Sequence, residues 1–440
     1  MAQLFHQQSK PCGKEELSYW TVPATQTVIE DYSDIEYRPL SSISDSGSIE
    51  FNVPGDSQDY IDPSKCSLYV KLKIVKPDGS DLDVADNLVA PENLLLHNLW
   101  SQVELSLNNV IITPSNNTYE HRAYLETVLN YGKETKETEL SGLSLYAKDT
   151  ESHFNAGLNE NMGFRRRQEK IAGSRVIELL GRLHIDMCEQ NRLVPNGVQL
   201  KFRLIRNSNA FSLHNLSDPE VAYKIKLLDV SLFVRKVKIN PSVLMSNEKQ
   251  LLVAPMAFPI KRLLVNSTGV SAGMLSVQRD NLFQGQLPNR LVIGFVSNEA
   301  YQGSYVLNPF EFGHQNICHL ALHLGGKTVP AKPLILDFEN KLYARAYKQM
   351  FDGLGKSFLD ESNDISYQDF GGGYAFFVFD LTADYATDSD YAQVIKHGNL
   401  RLEVHFKVPL AQSVNIVYLG EFQNCIEIDH HRNVTVDFQQ

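Results

Sequence analysis

Val103-Glu-Leu-Ser-Leu107 runs into Asn108-Asn109, and far downstream Leu320-Ala-Leu-His-Leu324 runs into Gly325-Gly326. Each string alternates apolar with polar residues, the period of a strand with one buried and one wet face. Each ends on two residues that accept the positive φ of a two-residue hairpin turn. What comes next is also alike: a proline segment, Thr113-Pro114 or Val329-Pro330, and then a stretch with helical spacing. Residues 119–131 set Ala123, Leu125, Val128 and Leu129 on one stripe and stop at Gly132, while residues 338–351 carry Leu342, Tyr343, Ala346, Tyr347 and Met350 at the same spacing. Asn196-Gly197 then introduces residues 198–204, as His397-Gly398 introduces 399–406, and each half closes on a long strand pair, 223–239 and 414–436. An internal repeat this ordered predicts a duplicated domain.

The rest of the chain keeps the same habit. Leu68, Val70, Leu72 and Ile74 alternate with Tyr69, Lys71 and Lys73; Ile177, Leu179, Leu183 and Ile185 face away from Glu178, Arg182, His184 and Asp186; Leu200, Phe202 and Leu204 oppose Lys201 and Arg203; and Leu400, Leu402, Val404 and Phe406 oppose Arg401, Glu403, His405 and Lys407. Pro77-Asp78-Gly79, Pro195-Asn196-Gly197 and Gly371-Gly372-Gly373 mark turns. The slip at Leu227-Leu228 reads as a β-bulge. Short strands, frequent turns and one helix inserted in a long connection of each half predict an all-β protein of two tandem jelly-roll sandwiches. The division expected is a polar N-terminal arm over 1–46, a first roll over 47–245 and a second over 246–440, with Asn240-Pro241-Ser242 opening the linker. The excursion 133–174 is longer than its counterpart 355–373 and is expected to project from one end of the first sandwich.

Composition bounds the function. At 440 residues the chain exceeds one ordinary core, and 43% hydrophobic with 21% charged residues suits a folded protein. A formal charge of -11 supplies no basic field for nucleic acid. The one dense basic run, Arg165-Arg166-Arg167 with Lys170 and Arg175 behind it, lacks strand alternation and reads as a solvated loop. Five cysteines, Cys12, Cys66, Cys188, Cys318 and Cys425, are odd in number and scattered, which predicts thiols rather than a disulfide framework. No apolar signal segment opens the chain, so the sequons at Asn116, Asn215, Asn266 and Asn433 are expected to stay unused. The 10% of aromatic residues, Trp20 and Trp100 among them, can line cores and subunit contacts. Within the arm, Tyr19-Trp20 and Ile35-Glu-Tyr37 are candidate anchors on neighbouring copies.

A family resemblance rests on the second half: Arg279-Asp-Asn-Leu-Phe-Gln-Gly-Gln-Leu-Pro-Asn-Arg-Leu-Val-Ile-Gly-Phe295, Gly303-Ser304, Asn308-Pro-Phe-Glu-Phe312, Pro330-Ala-Lys-Pro-Leu334, Asp337-Phe-Glu339 and Tyr343-Ala-Arg-Ala-Tyr347. These strings resemble the double jelly-roll major capsid proteins of Maverick/Polinton elements and adintoviruses, most densely over 279–380. The resemblance implies a hexon-like structural protein, a homotrimer that tiles an icosahedral shell beside a single jelly-roll penton protein and minor capsid proteins. It implies a virion location after assembly inside the host cell, with no strong nucleic-acid binding. Its Asn-Pro-Phe and Asp-Phe-Glu strings are expected to pin loops against the sandwich.

Chemical readings compete with this. His314, Cys318, His319 and His323 have zinc-ligand chemistry, but strand alternation sends His319 and His323 to one side and Cys318 to the other. Asp429-His430-His431 is a weaker version of the same idea. Asp380, Asp384, Asp388 and Asp390 form an acidic loop without EF-hand spacing. No nucleophile elbow, P-loop or HExxH is present. No catalytic, cofactor or metal residue is therefore assigned, and no enzyme activity is expected. Glycosidase carboxylates keep no fixed spacing, so a carbohydrate-binding or carbohydrate-cleaving tandem sandwich stays open, as does a host gene derived from a capsid gene.

Overall fold

The computed structural model describes residues 6–43, 47–55, 58–83, 86–218, 220–387 and 391–438. Strands dominate it. The first half runs β1 (Ile29–Tyr37), β2 (Ile49–Val53), β3 (Tyr60–Val75), β4 (Val89–Pro91), β5 (Trp100–Leu107), β6 (Val110–Ile111), β7 (Ile177–Gly181), β8 (Leu200–Arg206), β9 (Leu213–Asn215) and β10 (Lys224–Ile239). The second runs β11 (Met256–Val270), β12 (Ser276–Arg279), β13 (Arg290–Ser297), β14 (Ile317–Leu324), β15 (Lys327–Ile335), β16 (Phe377–Asp380), β17 (Leu400–Phe406), β18 (Val414–Ile428) and β19 (Val434–Val436).

The sheets establish a double jelly roll. In the first half the orders are β1-β10-β3-β7 and β2-β8-β5-β6, with β4-β9 as a small extra pair. In the second they are β11-β18-β13-β16, with β19 added on β18, and β12-β17-β14-β15. Setting aside the short β4, β9 and β19, each half joins its first strand to its last, then to its third and sixth. The facing sheet joins the second to the seventh, fourth and fifth. All these pairings are antiparallel. The two halves therefore share one topology.

Local chemistry explains the pairing. Asn108 and Asn109 take φ of 45° and 69°, and Gly325 and Gly326 take 55° and 84°. Both hairpins close on two residues, with Leu107 opposite Val110 and Leu324 opposite Lys327. The register of β10 on β3 shifts between Leu227 and Asp229, at the bulge expected there. The closing strand pairs read from sequence differ: β10 is one continuous strand, whereas β18 does fold back onto β19. Ile29–Tyr37, assigned to the arm from sequence, is instead an edge strand on β10, because Ile35 and Tyr37 sit opposite Val234 and Leu232 in register. The alternation through 177–186 holds as a strand only to Gly181, and Asp186 turns into a short helical segment.

The predicted helices form at Tyr119–Asn130 and Ala344–Gly353. The expected boundary near 245 falls inside a further helix, Pro241–Leu251, where the Asn240 side chain caps Ser242 N at 3.0 Å and Pro241 takes the first turn.

Inward residues of each half make a core. Phe51, Leu68, Val70, Leu105 and Phe202 belong to the first cluster, and Leu291, Phe295, Leu320, Leu402, Val404 and Ile416 to the second. Phe202 is fully buried and lies between Phe51 and Leu105 in register. Phe202→Ala should lower unfolding free energy by about 3–5 kcal/mol, read as a lower urea midpoint at unchanged slope. A loss below about 1 kcal/mol would mean the first core is not built around this residue.

Candidate functional site

The feature that sets how one half meets the other is a buried seam, and its centre is the helix Tyr119–Asn130. No glycine or proline interrupts this stretch, so helix propensity is not opposed. Every residue from Tyr119 to Leu129 is buried, because the helix is covered on all sides rather than along one stripe. Tyr124, Leu125, Val128 and Leu129 join the second core, while Ala123 joins the first. Tyr124 stacks on Phe310 of the second roll at 4.2 Å between centroids, and His121 lies 4.8 Å from Tyr301. In exchange, Phe258, Ile260, Ile426 and Ile428 of β11 and β18 enter the first cluster.

Polar groups give the seam its register. Arg122 reaches Glu126 at 3.1 Å and Asp186 at 2.7 Å, and the same Asp186 oxygen accepts Leu263 N of β11 at 3.1 Å. Burial alone would raise the Glu126 carboxyl, but the charge of Arg122 and the bonded His184 override it and hold it below the usual carboxylate range. Asn116 Nδ2 donates to Val265 O at 2.7 Å.

A second set of struts comes from the excursion 133–174. It was expected to project, yet Lys136, Tyr146, Phe154 and Arg167 are all buried, because the segment folds back between the rolls. The basic run is likewise no loop: it lies on the helix Met162–Ile171, capped by the Asn161 side chain at Gly163 N and Phe164 N. Arg165 and Arg166 are exposed, whereas Arg167 binds Asp149 at 2.8 Å and the carbonyls of Pro91 and Ala147 at 2.8 Å. Asp149 O accepts Tyr374 OH at 3.0 Å, and Asn155 Nδ2 donates to Glu311 at 2.6 Å. The Asn308-Pro-Phe-Glu-Phe312 string thus does pin, but across to the other roll. Gly372 is more than a turn residue, since its carbonyl accepts Ser152 N at 2.6 Å and a Cβ there would lie 2.9 Å from Glu151 Cβ and Ser152 Oγ.

Other residues singled out from sequence scatter. His314 stacks on Phe338 at 4.2 Å and Cys318 Sγ points to His405 O, so neither joins His319 and His323. Lys407 holds Asp337 and Glu339 at 3.3 and 2.6 Å. Asp380 is buried and accepts Thr382 N at 2.9 Å and Thr387 N at 3.2 Å, while Asp388 and Asp390 lie outside the described residues. Asp429 organises a turn by accepting His431 N and Asn433 N at 2.8 Å. Asn215 is fully buried, and all five cysteines are free. Trp100 is buried in the first core and Trp20 is 90% exposed on the arm.

Two clusters escaped the sequence reading. Glu126, His184 and Glu189 converge in the seam, where Arg122 already supplies the cation. His319, Glu403 and His405 converge on the second roll, two strands brought together from positions far apart in sequence. The alternation that set Glu403 and His405 on one face of their strand held half of that signal, and the strand order held the other half.

Two complete jelly rolls of one topology in a single chain define the double jelly-roll class. The backbone matches a chain in the structure of the Sputnik virophage with a TM-score of 0.67 at 11% identity, covering 100% of this chain and 95% of that one. It matches the mavirus major capsid protein at 0.57 and 8% identity, over 99% of this chain and 97% of the other. It matches the Faustovirus major capsid protein at 0.58 and 8%, over 92% of each. At such identities the likeness is one of fold. In sequence, the chain is 26% identical over 429 residues to a Caenorhabditis elegans protein described as uncharacterized, covering 94% of this chain and 99% of that protein. No family model matches the chain.

Lys136 makes the seam sensitive to pH. Its Nζ donates to Val128 O at 2.7 Å and to Asn363 O of the second roll at 2.6 Å. Burial pushes the amine down to about 7, so the folded protein binds fewer protons than the unfolded chain above that pH. Stability contributed here therefore rises as pH is raised from about 7 toward the amine's ordinary value near 10.5. Lys136→Met should flatten that rise in denaturant titrations at several pH values; an unchanged slope would assign it to another group.

Proposed function

We propose that this chain is a major capsid protein of hexon-like type. Three copies associate so that six jelly rolls outline a pseudo-hexagonal capsomer, and the capsomers tile an icosahedral shell. The observation that carries this reading is the pair of like rolls locked by a buried seam, in a fold matching capsid chains over nearly their whole length. A threefold axis acting on two similar walls yields six similar walls, so near-hexagonal packing needs no further device. The work is geometric rather than catalytic. Its partners are further copies, a single jelly-roll penton protein and minor capsid proteins, and its location is the virion after assembly in the host cell.

The lineage proposed is that of Maverick/Polinton elements and adintoviruses. The sequence strings over 279–380 support it, and so does a relative of nearly full length in an animal. That same relative favours one second reading, a host gene derived from a capsid gene, which would trimerise without closing particles.

Expressed alone, the full chain should elute as a trimer in size-exclusion chromatography with light scattering, and negative-stain images should show hexagonal outlines or shells. Trimers that never close would favour the host-gene reading, and a monodisperse monomer with glycan affinity would overturn both. The segment before β1 exposes Leu17, Tyr19, Trp20 and Val22 and belongs to contacts between copies on this proposal. Removing residues 2–28 should leave the unfolding midpoint unchanged and lower the yield of particles; normal yield would end the assembly role of the arm.

A further inference from the structure

On the outer face of the sheet β12-β17-β14-β15, four side chains of metal-ligating type meet across one strand pair. β14 contributes His319 and His323, and β17 contributes Glu403 and His405. The register sets His319 opposite His405 and Ala321 opposite Glu403, while Leu320, Leu322, Leu402 and Val404 point into the core. Cross-strand neighbours of this kind bring Cβ atoms to about 4.5–5.5 Å. One nitrogen of His319, one of His405 and one oxygen of Glu403 all lie within 4.8 Å of one another.

The bonding around these groups is uneven. Glu403 is the hub, its Oε1 lying 2.9 Å from His405 Nε2 and its Oε2 lying 3.0 Å from His323 Nε2. The second nitrogen of His323 has the Thr328 hydroxyl at 3.5 Å. His319 stands apart, because its Nδ1 is buried and has no hydrogen-bond partner among the described residues. Such an orphan costs stability unless something else satisfies it. His319 packs edge-on against His405, with centroids 5.0 Å apart.

The donor types suit a cation. Two imidazoles and a carboxylate are a donor set that zinc-type cations accept. Zinc sits about 2.0–2.1 Å from such ligands, so binding it would draw the three groups together. The Glu126, His184 and Glu189 group lacks this freedom, since Arg122 occupies it.

We propose that His319, Glu403 and His405 form a binding site for a divalent transition-metal cation of zinc type, with His323 orienting Glu403 through its second carboxylate oxygen. Solvent completes the coordination, His405 being 44% exposed. A cation there ties β14 to β17 on the wet side of a sheet whose other side is core, so binding stabilises the second roll.

Zinc uptake by the full chain, measured by equilibrium dialysis with elemental analysis, and the zinc-induced rise in unfolding temperature test this together. One zinc per chain is expected, along with a thermal shift that disappears in His319→Ala and His405→Ala. Each of those variants should weaken binding by at least about tenfold, and His323→Gln by about tenfold through Glu403. Replacing His430 and His431 by alanine should change neither readout. Unfolding without metal checks that each variant is folded, and His319→Gln keeps the test open if the alanine variant is not. Substoichiometric zinc in the wild-type chain, or uptake unchanged in folded His319 and His405 variants, or uptake lost with His430 and His431, would each overturn the site.

Discussion

Everything the two rolls can do together depends on the helix Tyr119–Asn130 being buried from all sides. A jelly roll completes its own core, and two of them on one chain would ordinarily be free to rotate about their linker. Here the helix of the first roll supplies Tyr124, Leu125, Val128 and Leu129 to the second core, and the ends of β11 and β18 repay the first with Phe258, Ile260, Ile426 and Ile428. Rotation would expose both sets at once. At roughly 1.5–3 kcal/mol for each large apolar side chain withdrawn from water, a handful of such residues is enough to hold one arrangement.

The sandwich strands were legible because their information is local. Alternation over Leu68–Ile74 or Leu400–Phe406 needs only a period of two, and the asparagine and glycine pairs at 108–109 and 325–326 need only their tolerance of positive φ. The seam was not legible, for a physical reason. Arg167 reads as one of three adjacent cations, and what buries it is Asp149 and two carbonyls, none of which is marked as its partner by sequence spacing. The same holds for Lys136, whose acceptors are main-chain oxygens that every residue possesses. The edge strand β1 was missed because a strand exposed on both faces over Ile29 to Asp34, with Glu30, Asp31, Ser33 and Asp34 among its residues, has the composition of an arm.

The histidine cluster shows the intermediate case. The alternation of β14 and of β17 could each be read alone, and a jelly-roll order makes the fourth strand a neighbour of the seventh. What periodicity does not carry is register, and a one-residue slip would turn His405 and Glu403 into the core. The core itself excludes that slip, because it would expose Leu402 and Val404.

The seam's mixture of aromatic packing and buried charge also bears on uniqueness. Apolar contacts are non-directional, so Tyr124 on Phe310 alone would tolerate sliding along the interface. Arg122 to Asp186, and Asp186 onward to Leu263 N, are directional and stop it, because any shift leaves a buried ion unpaired. Such pairs add little net stability over well-packed apolar residues, but they penalise every wrong alignment heavily. On the proposed capsid role, in which two walls are presented at a fixed angle to many identical neighbours, the penalty on misalignment matters more than the depth of the minimum. An error in that angle would be repeated in every copy of a closed shell.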